Sequence, residues 1–361
     1  MSACKTRVLI VGPSIRFLGG QAVQAYRLMD RLRECESLSV DYLIVDPELP
    51  APLAWMQRVK FVRTLATSAA YVFSLLSRVW RTDTLHVFSA SYWSFLLAPT
   101  PAMLVGRLFG KRVILNYHSG EADDHLTRWG WHARPLMRLA DVIIVPTAYL
   151  VDVFARHGLH AIAIPNHLDA DTMQYRERTA LRPRYLSNRN FEKHYNVESV
   201  LRAFAEVQLS YPDAELVVAG DGSLRDSLHM LAAELRLRNV TFTGPVSPLD
   251  MPRLYQEADV YVNASLIDNM PLSLLEAYAS GLPVITSDAG GIPWIAQDDV
   301  TARVITAGDT AALARAMCES IEAPATTIAR AACARDYVAA QFSWNQVRTK
   351  WQQAYRPELV R

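Results

Sequence analysis

Residues 259–295 read DVYVNASLIDNMPLSLLEAYASGLPVITSDAGGIPWI, which contains two short apolar runs on either side of a helical pattern. The first run ends near Ser265. A helix is predicted to follow, with Pro271 in its first turn and its end at Gly281. A second run, rich in Val and Ile, comes at 284–286. A strand, a helix and another strand in this order are typical of a parallel sheet that helices cover on both faces.

The same alternation recurs along the whole chain, with six apolar runs in each half. The runs of the first half are 7–11, 40–45, 85–88, 113–115, 142–145 and 161–164. The runs of the second half are 185–186, 216–219, 240–243, 260–262, 284–286 and 303–306. The sequence therefore predicts an α/β fold of two doubly wound, Rossmann-like domains that face each other across a cleft. The last segment, 342–355, is predicted to be a helix because its aromatic residues recur at helical spacing.

Composition limits the class of protein. The chain has 361 residues, 51% of them hydrophobic, which suggests two domains. Its 37 basic and 36 acidic side chains nearly cancel, and this argues against a nucleic-acid-binding protein. The four cysteines form no C-x-x-C pair, so neither a zinc ribbon nor a disulfide framework is indicated. Reduced thiols in the cytoplasm are the simplest interpretation.

Two segments of the first half bear on membranes. Residues 84–106 carry no Asp, Glu, Lys or Arg, but Pro99, Pro101 and His86 favour a buried strand, loop and helix over a membrane span. Residues 51–82 carry five basic side chains, no acidic one and several aromatic ones. Such a stretch could dock on an anionic membrane surface. The alternative is a solvated helix face with core aromatics.

Ligands of doubly wound sheets bind beyond the carboxyl ends of the strands, so the residues after each run are candidates. Gly19 and Gly20 precede a helix that is predicted to open at about Gln21, where the backbone could approach an anion. A flexible loop with a glycine cap is the alternative. His118 follows the fourth run and could either serve a site or be a buried, hydrogen-bonded side chain.

Two further groups of polar residues are candidates. Asp123, Asp124 and His125 could hold a metal, but no second ligand set completes the cluster, so no metal site is predicted. In the segment quoted first, Asp268 lies before the predicted helix and Glu276 lies about one and a half turns into it. The alternative roles are a helix cap for Asp268 and a solvated position for Glu276.

The amino end of that predicted helix suggests a phosphate site, because its backbone amides point outward and its dipole favours an anion. Glu276 could then reach the hydroxyls of a ribose attached to the phosphate, and Asp268 the sugar beyond it. The residues of this predicted site are Met270, Pro271, Leu272, Ser273 and Glu276.

The pattern D-N-M-P-x-x-x-x-E-A-x-A-x-G-x-P-V-I at 268–285 resembles the E-x-x-P-x-x-x-x-E signature of retaining glycosyltransferases of family 4. The resemblance covers nearly the whole chain, including A-G-D-G-S-L at 219–224 with Gly222. It implies a GT-B fold with an acceptor domain at 1–167, a nucleotide-sugar domain at 168–341 and a closing helix at 342–361 that returns to the first domain.

The resemblance also implies roles for single residues. Glu276 would hold the donor ribose, Asp268 would touch the donor sugar, and His118 would contact the sugar or phosphate from the first domain. The family places an Arg and a Lys on the diphosphate. Arg189 matches the Arg, whereas Tyr195 and Asn196 stand at the usual Lys-Gly, so Lys193 is only a possible substitute.

The predicted function is a retaining, metal-independent hexosyltransferase without a cofactor. It would move a sugar from a nucleotide diphosphate sugar, UDP-sugar as the first choice, to a glycan or lipid-linked hydroxyl in bacterial surface polysaccharide or glycolipid synthesis. The protein would be cytoplasmic, with peripheral membrane contact through 51–82. Two alternatives are a nucleotide-sugar epimerase of the same fold and a degenerate chain that binds nucleotide sugar without turnover.

Overall fold

The chain divides into two compact units. The computed structural model describes residues 5–15, 20–59, 61–168 and 173–355. The first unit comprises residues 1–165 and 347–361, and the second comprises residues 166–346. Within the described ranges, no helix combines the length and the apolar character that a membrane span requires.

The first unit contains a parallel sheet of six strands. They are β1 (Thr6–Gly12), β2 (Leu38–Ile44), β3 (Thr84–Ser89), β4 (Arg112–Tyr117), β5 (Val142–Val145) and β6 (Ile162–Ala163). Their order across the sheet is β2-β1-β3-β4-β5-β6. Strands β3 and β5 are buried along their whole length, because helices cover both faces of a parallel sheet.

The second unit contains the other six strands. They are β7 (Arg184–Ser187), β8 (Glu215–Ala219), β9 (Val240–Gly244), β10 (Val260–Asn263), β11 (Val284–Ser287) and β12 (Arg303–Ile305). Their order is β12-β11-β10-β7-β8-β9, which is the doubly wound order of dinucleotide-binding sheets. All twelve predicted runs are strands, and the predicted α/β class with two doubly wound sheets is confirmed.

Helices connect most consecutive strands. Those of the first unit are α1 (Gly20–Arg33), α2 (Val62–Val79), α3 (Tyr92–Leu97), α4 (Pro99–Leu108), α5 (Ala122–Arg128), α6 (Gly130–Met137) and α7 (Ala148–Arg156). Those that follow are α8 (Val197–Ser210), α9 (Arg225–Glu234), α10 (Met251–Glu257), α11 (Leu272–Ala279), α12 (Thr310–Glu322), α13 (Pro324–Phe342) and α14 (Trp344–Tyr355). Residues 84–106 form β3, α3 and most of α4, so the interpretation as a buried strand, loop and helix is confirmed.

The closing helix begins later than predicted. Helix α13 runs to Phe342, and the extended backbone of Ser343 separates it from α14. The far end of α14 packs on the first sheet, where the Tyr355 hydroxyl lies 2.5 Å from Nδ1 of His86. His86 is fully buried, and burial lowers its pKa to about 3. This neutral histidine holds the last turn of α14 on β3 through the contact with Tyr355 and through stacking of its ring on Trp351.

Residues 51–82 form a short 3-10 helix, Ala51–Arg58, and helix α2. Tyr71 is buried, as core aromatics would be. Trp55, Phe61, Phe73 and Trp80 are instead 59%, 79%, 75% and 67% exposed. The alternative of core aromatics is therefore wrong for these four side chains. A buried stripe on α2, which includes Leu75, faces the sheet and leaves the opposite side of the helix uncovered.

Candidate active site

The second sheet changes direction between β7 and β10. The chain winds from β7 outward to β9, then returns to β10 on the other side of β7, and the two strands pair through Tyr185 with Val260. Loops that leave adjacent strands in opposite directions open a crevice at their carboxyl ends. Arg189 lies two residues beyond β7, and Asp268 lies in the loop beyond β10. The topology therefore brings these two predicted residues together.

Arg189 is the centre of this group. One terminal nitrogen donates to the carboxylate of Asp268, and the other donates to the Ser273 hydroxyl at 3.1 Å. The guanidinium also lies over the Tyr195 ring, 4.1 Å from its centroid. Burial opposes the charge, but Asp268 and the neighbouring tyrosines together outweigh burial and raise the pKa of Arg189 above its ordinary value. Within the described part of the chain, the buried Nε atom of Arg189 has no hydrogen-bond partner.

The carboxylate of Asp268 accepts its hydrogen bonds from groups of the protein itself. Besides Arg189, it accepts from the amide of Asn269 at 2.9 Å and from the Ser265 hydroxyl at 3.3 Å. Helix α11 instead has Pro271 at its N-cap, with no side-chain cap. The alternative role of Asp268 as a helix cap is therefore wrong, and Pro271 lies just before the first turn rather than in it.

Glu276 is buried, with 8% of its surface exposed, so the alternative of a solvated position is wrong. It is the fifth residue of α11 and lies just over one turn from the start, closer to the amino end than predicted. Its Oε2 atom accepts a hydrogen bond from the Tyr255 hydroxyl at 2.9 Å. Every residue of α11 is buried, which fixes the helix beneath the crevice.

The amino end of α11 is closely held. Met270, Pro271, Leu272 and Ser273 are all buried. The Ser273 hydroxyl accepts from the Tyr261 hydroxyl at 2.8 Å as well as from Arg189. The serine side chain thus fixes Arg189 to the helix. The backbone amides at this end, which an α-helix leaves without intrahelical partners, remain the predicted anion site.

The loop with Gly222 supports Arg189 from the other side. A Cβ atom at Gly220 would come within 2.3 Å of the Arg189 carbonyl oxygen, and one at Gly222 within 2.7 Å of the Phe191 carbonyl oxygen. Two glycines therefore let this loop pass directly against the backbone after β7. Glu192 ties the loops together by accepting from the amide and the hydroxyl of Ser223.

Lys193 does not join this group. It is exposed on a 3-10 helix, Lys193–Tyr195, and no ion pair of residues 173–355 includes it. The same helix brings Tyr195 onto Arg189, so an aromatic face rather than a second cation lies beside the guanidinium. The role of Lys193 on a diphosphate stays a prediction.

The remaining predicted residues belong to the first unit. Gly20 is exposed and is the first residue of α1, whereas Gly19 lies outside the described residues. The His118 amide donates to the Ser89 carbonyl, and its ring stacks on Phe88. Burial lowers the pKa of His118 to about 4, which makes it neutral at pH 7. Its Nε2 atom has no hydrogen-bond partner among the described residues. This ring nitrogen therefore does not fit the alternative of a buried, hydrogen-bonded side chain.

Asp123, Asp124 and His125, which follow His118 in the sequence, each contact a different partner. Asp123 contacts His157 at 2.9 Å, and Asp124 pairs with Arg128 at 2.7 Å. His125 is buried, with its Nδ1 atom 2.9 Å from the Tyr117 hydroxyl. Across the described residues, no three His, Cys, Asp or Glu side chains are placed to share a metal ion.

Comparisons with known proteins agree with this geometry. Residues 175–335, which contain the whole crevice, match the model of the family described as glycosyl transferases group 1. The matched residues lie within the second unit. Glycogen synthase of Mycobacterium tuberculosis is 29% identical over 301 residues, covering 77% of this chain and 69% of that protein.

A second relative and a solved structure extend the match. The GDP-mannose-dependent alpha-(1-6)-phosphatidylinositol monomannoside mannosyltransferase of M. tuberculosis is 26% identical, and 73% of each chain is covered. The structure of Anabaena HepE in complex with UDP and glucose superposes with a TM-score of 0.76 at 17% identity, covering 97% of this chain and 99% of HepE. These findings confirm the predicted GT-B fold, and the matching family model and curated relatives are those of glycosyltransferases.

Several residues of the second unit were missed by sequence reasoning. Asn188, Tyr255 and Tyr261 all hydrogen-bond to the predicted site residues or to each other. The two tyrosines sit in apolar patterns where a core ring is the ordinary interpretation, and both are indeed buried. Only their hydroxyl partners distinguish them, and those partners are distant in sequence.

The glycine pair of the segment quoted first was also missed. A Cβ atom at Gly290 would lie 2.2 Å from the Asp268 carbonyl oxygen, and Gly290 has a φ of +53°. A Cβ atom at Gly291 would lie 2.4 Å from the Asn269 carbonyl oxygen. The loop after β11 therefore presses on the backbone that carries Asp268, and it fixes where that carboxylate lies.

Replacing Gly290 with alanine is expected to lower the free energy of unfolding by about 2 kcal/mol, because a strained φ and a backbone clash add together. The matched control is Gly244→Ala, which has a φ of +71° but no atom within 4 Å of the new Cβ. It is expected to cost about 1 kcal/mol from strain alone. Urea unfolding of both variants gives the comparison. Equal losses would mean that the close approach at Asp268 is not a constraint.

Proposed function

We propose that the chain is a retaining glycosyltransferase of family 4 that takes a sugar from a nucleotide diphosphate sugar. The observation that carries the proposal is the grouping of a largely buried arginine, the amino end of α11 and a buried glutamate at the switch point of a doubly wound sheet. A cation and outward amides suit a diphosphate, and a carboxylate one helical turn further suits the ribose.

The leaving group explains why the arginine is central. As the glycosidic bond breaks, the nucleoside diphosphate takes the bonding electrons, and Arg189 with the α11 amides would stabilise that charge. The acceptor oxygen forms its bond to the anomeric carbon on the same face, and its proton passes to the departing diphosphate. The proposal assigns the charge stabilisation to the protein itself and needs no metal or cofactor. His118 belongs to the first unit, and its contact with the donor stays a prediction.

The relatives support a nucleotide sugar as the donor, but they differ in the base that it carries. The mycobacterial mannosyltransferase is named for GDP-mannose and a phosphatidylinositol glycoside, and HepE was solved with UDP and glucose. We therefore propose a glycan or lipid-linked hydroxyl as the acceptor, in bacterial surface polysaccharide or glycolipid synthesis, with UDP-sugar as the first donor to test. The described cysteines Cys35, Cys318 and Cys333 are free thiols, which supports a cytoplasmic protein.

The direct experiment is a thermal-shift screen against UDP, GDP, ADP and their sugars in the presence of EDTA. One nucleotide should raise the melting temperature by several degrees, because a ligand that binds only the folded state stabilises it. Product analysis with that donor then separates the classes: transfer to an acceptor supports the proposal, and a changed sugar on the same nucleotide indicates an epimerase. Binding with neither product indicates a degenerate chain.

A second part of the proposal is peripheral contact with an anionic membrane. Four aromatic side chains of residues 51–82 are exposed, and helix α4 beside them exposes Leu104 and Leu108. Arg58, Arg63 and Arg81 lie on the same stretch, which has no acidic side chain. Basic side chains among exposed apolar ones suit the boundary between headgroups and acyl chains. Lys60 lies outside the described residues.

Reversing two of these charges tests the contact. The double variant Arg58→Glu and Arg63→Glu is expected to bind anionic phospholipid vesicles roughly 30-fold more weakly, at about 1 kcal/mol for each basic residue lost. Vesicle co-sedimentation at low salt measures it. The control variant, Arg225→Glu with Arg253→Glu, makes the same charge change in the second unit and should bind as the wild type does. Unchanged binding of the first variant would remove the membrane proposal.

A further inference from the structure

The hydroxyl of Tyr255 connects two parts of the candidate site. Tyr255 lies on α10 and is fully buried. Its hydroxyl donates to Oε2 of Glu276 at 2.9 Å and accepts from Nδ2 of Asn188 at 2.8 Å. Asn188 directly precedes Arg189 in the chain. A single hydroxyl therefore links the carboxylate proposed for the ribose to the loop that carries the arginine proposed for the diphosphate.

We propose that Tyr255 is a positioning residue that aims the Glu276 carboxylate at the two ribose hydroxyls and so sets a preference for ribonucleotides over dideoxyribonucleotides. This inference rests on the proposed function and extends it. It concerns the ribose alone, so the base and the sugar of the donor do not enter.

The physical argument begins with the flexibility of glutamate. Its side chain has several rotatable bonds, and an accurate grip on two hydroxyls needs one rotamer. The Tyr255 hydroxyl occupies one of the roughly four acceptor sites of the carboxylate and fixes its orientation. Burial, with Glu276 nearby, raises the pKa of Tyr255 well above its ordinary value. The hydroxyl therefore stays protonated and always donates to the carboxylate.

A second buried tyrosine serves the other half of the site. Tyr261 lies on β10, with its ring centroid 6.3 Å from that of Tyr255. Its hydroxyl donates to Ser273, which also accepts from Arg189. Tyr261 therefore supports the arginine rather than Glu276. Of the two tyrosine hydroxyls, only that of Tyr255 donates a hydrogen bond to Glu276. The effect on ribose recognition is therefore assigned to Tyr255.

The test compares Tyr255→Phe with the wild type. The nucleoside diphosphate that the wild type binds best among UDP, GDP and ADP is titrated alongside its 2′,3′-dideoxy form, and calorimetry gives both Kd values. The wild type is expected to prefer the ribonucleotide. Removing a hydrogen bond to a carboxylate is expected to cut that preference about tenfold in Tyr255→Phe.

The control is Tyr278→Phe, which removes a buried hydroxyl from the same helix as Glu276. That hydroxyl donates to Thr301 instead, at 3.4 Å. This variant should keep the wild-type preference. A second test variant, Asn188→Ala, removes the donor to Tyr255 and should cut the preference by about threefold. In a Glu276→Gln background, Tyr255→Phe should add little, since a positioning residue acts through the side chain that it positions.

Each other outcome is informative. If Tyr255→Phe weakens both nucleotides equally, its role is structural and the inference is overturned. If the preference is unchanged, Glu276 does not depend on Tyr255 and the inference fails while the proposed function stands. If the wild type binds both forms equally or binds no nucleotide, the ribose contact in the proposed function fails first.

Discussion

Alanine in place of Arg189 is expected to lower the rate of nucleoside diphosphate release from the donor by about 10²–10³-fold. The side chain of Arg189 is only 11% exposed, and charge that develops on a leaving group in a crevice is costly to leave unmatched. The variant also leaves the carboxylate of Asp268 without its partner. Part of the loss will therefore come from repulsion between that carboxylate and the diphosphate.

Two further variants separate these causes. Arg189→Lys keeps the charge but loses the forked geometry that reaches Asp268 and Ser273 together, and we expect an intermediate rate. Arg184→Ala is the matched control, because Arg184 lies at the other end of β7 in an exposed pair with Glu215. It should turn over donor at the wild-type rate. Full activity of Arg189→Ala would contradict the assignment of this arginine to the leaving group.

The second large effect is expected at Glu276. Replacement with alanine should weaken nucleotide binding about 100-fold, because two hydrogen bonds from ribose hydroxyls to one carboxylate are lost. The thermal shift produced by the selected nucleotide should fall by a corresponding amount. Glu276→Gln keeps the shape of the side chain and should lose less.

A control removes an equivalent charge elsewhere. Glu198→Ala changes an exposed glutamate of α8 that pairs with Arg202, and it should keep the full thermal shift. Glu276→Ala must also be compared with the wild type in the absence of nucleotide, since the Tyr255 hydroxyl loses its acceptor. A nucleotide-dependent shift that survives in Glu276→Ala would show that the carboxylate is not the ribose contact.

Local pattern was sufficient for most of the fold. Short Val- and Ile-rich runs alternate with helical segments, and every predicted run is a strand of a parallel sheet. Asp268 and Glu276 were predicted as site residues because they lie in the loop after one strand and on the helix that follows it, a position that the sequence itself marks. Arg189 was predicted from the family resemblance alone.

Tertiary structure decided what those residues do to one another. Asp268 forms an ion pair with Arg189, and Glu276 accepts from Tyr255; each pair joins side chains from separate segments of the chain. The exposed position of Lys193 also became apparent only in the folded structure. Gly290 likewise meets the Asp268 backbone across more than twenty residues. Periodicity reports whether a side chain faces the core, but hydrogen-bond partners are chosen by three-dimensional packing, which no local pattern contains.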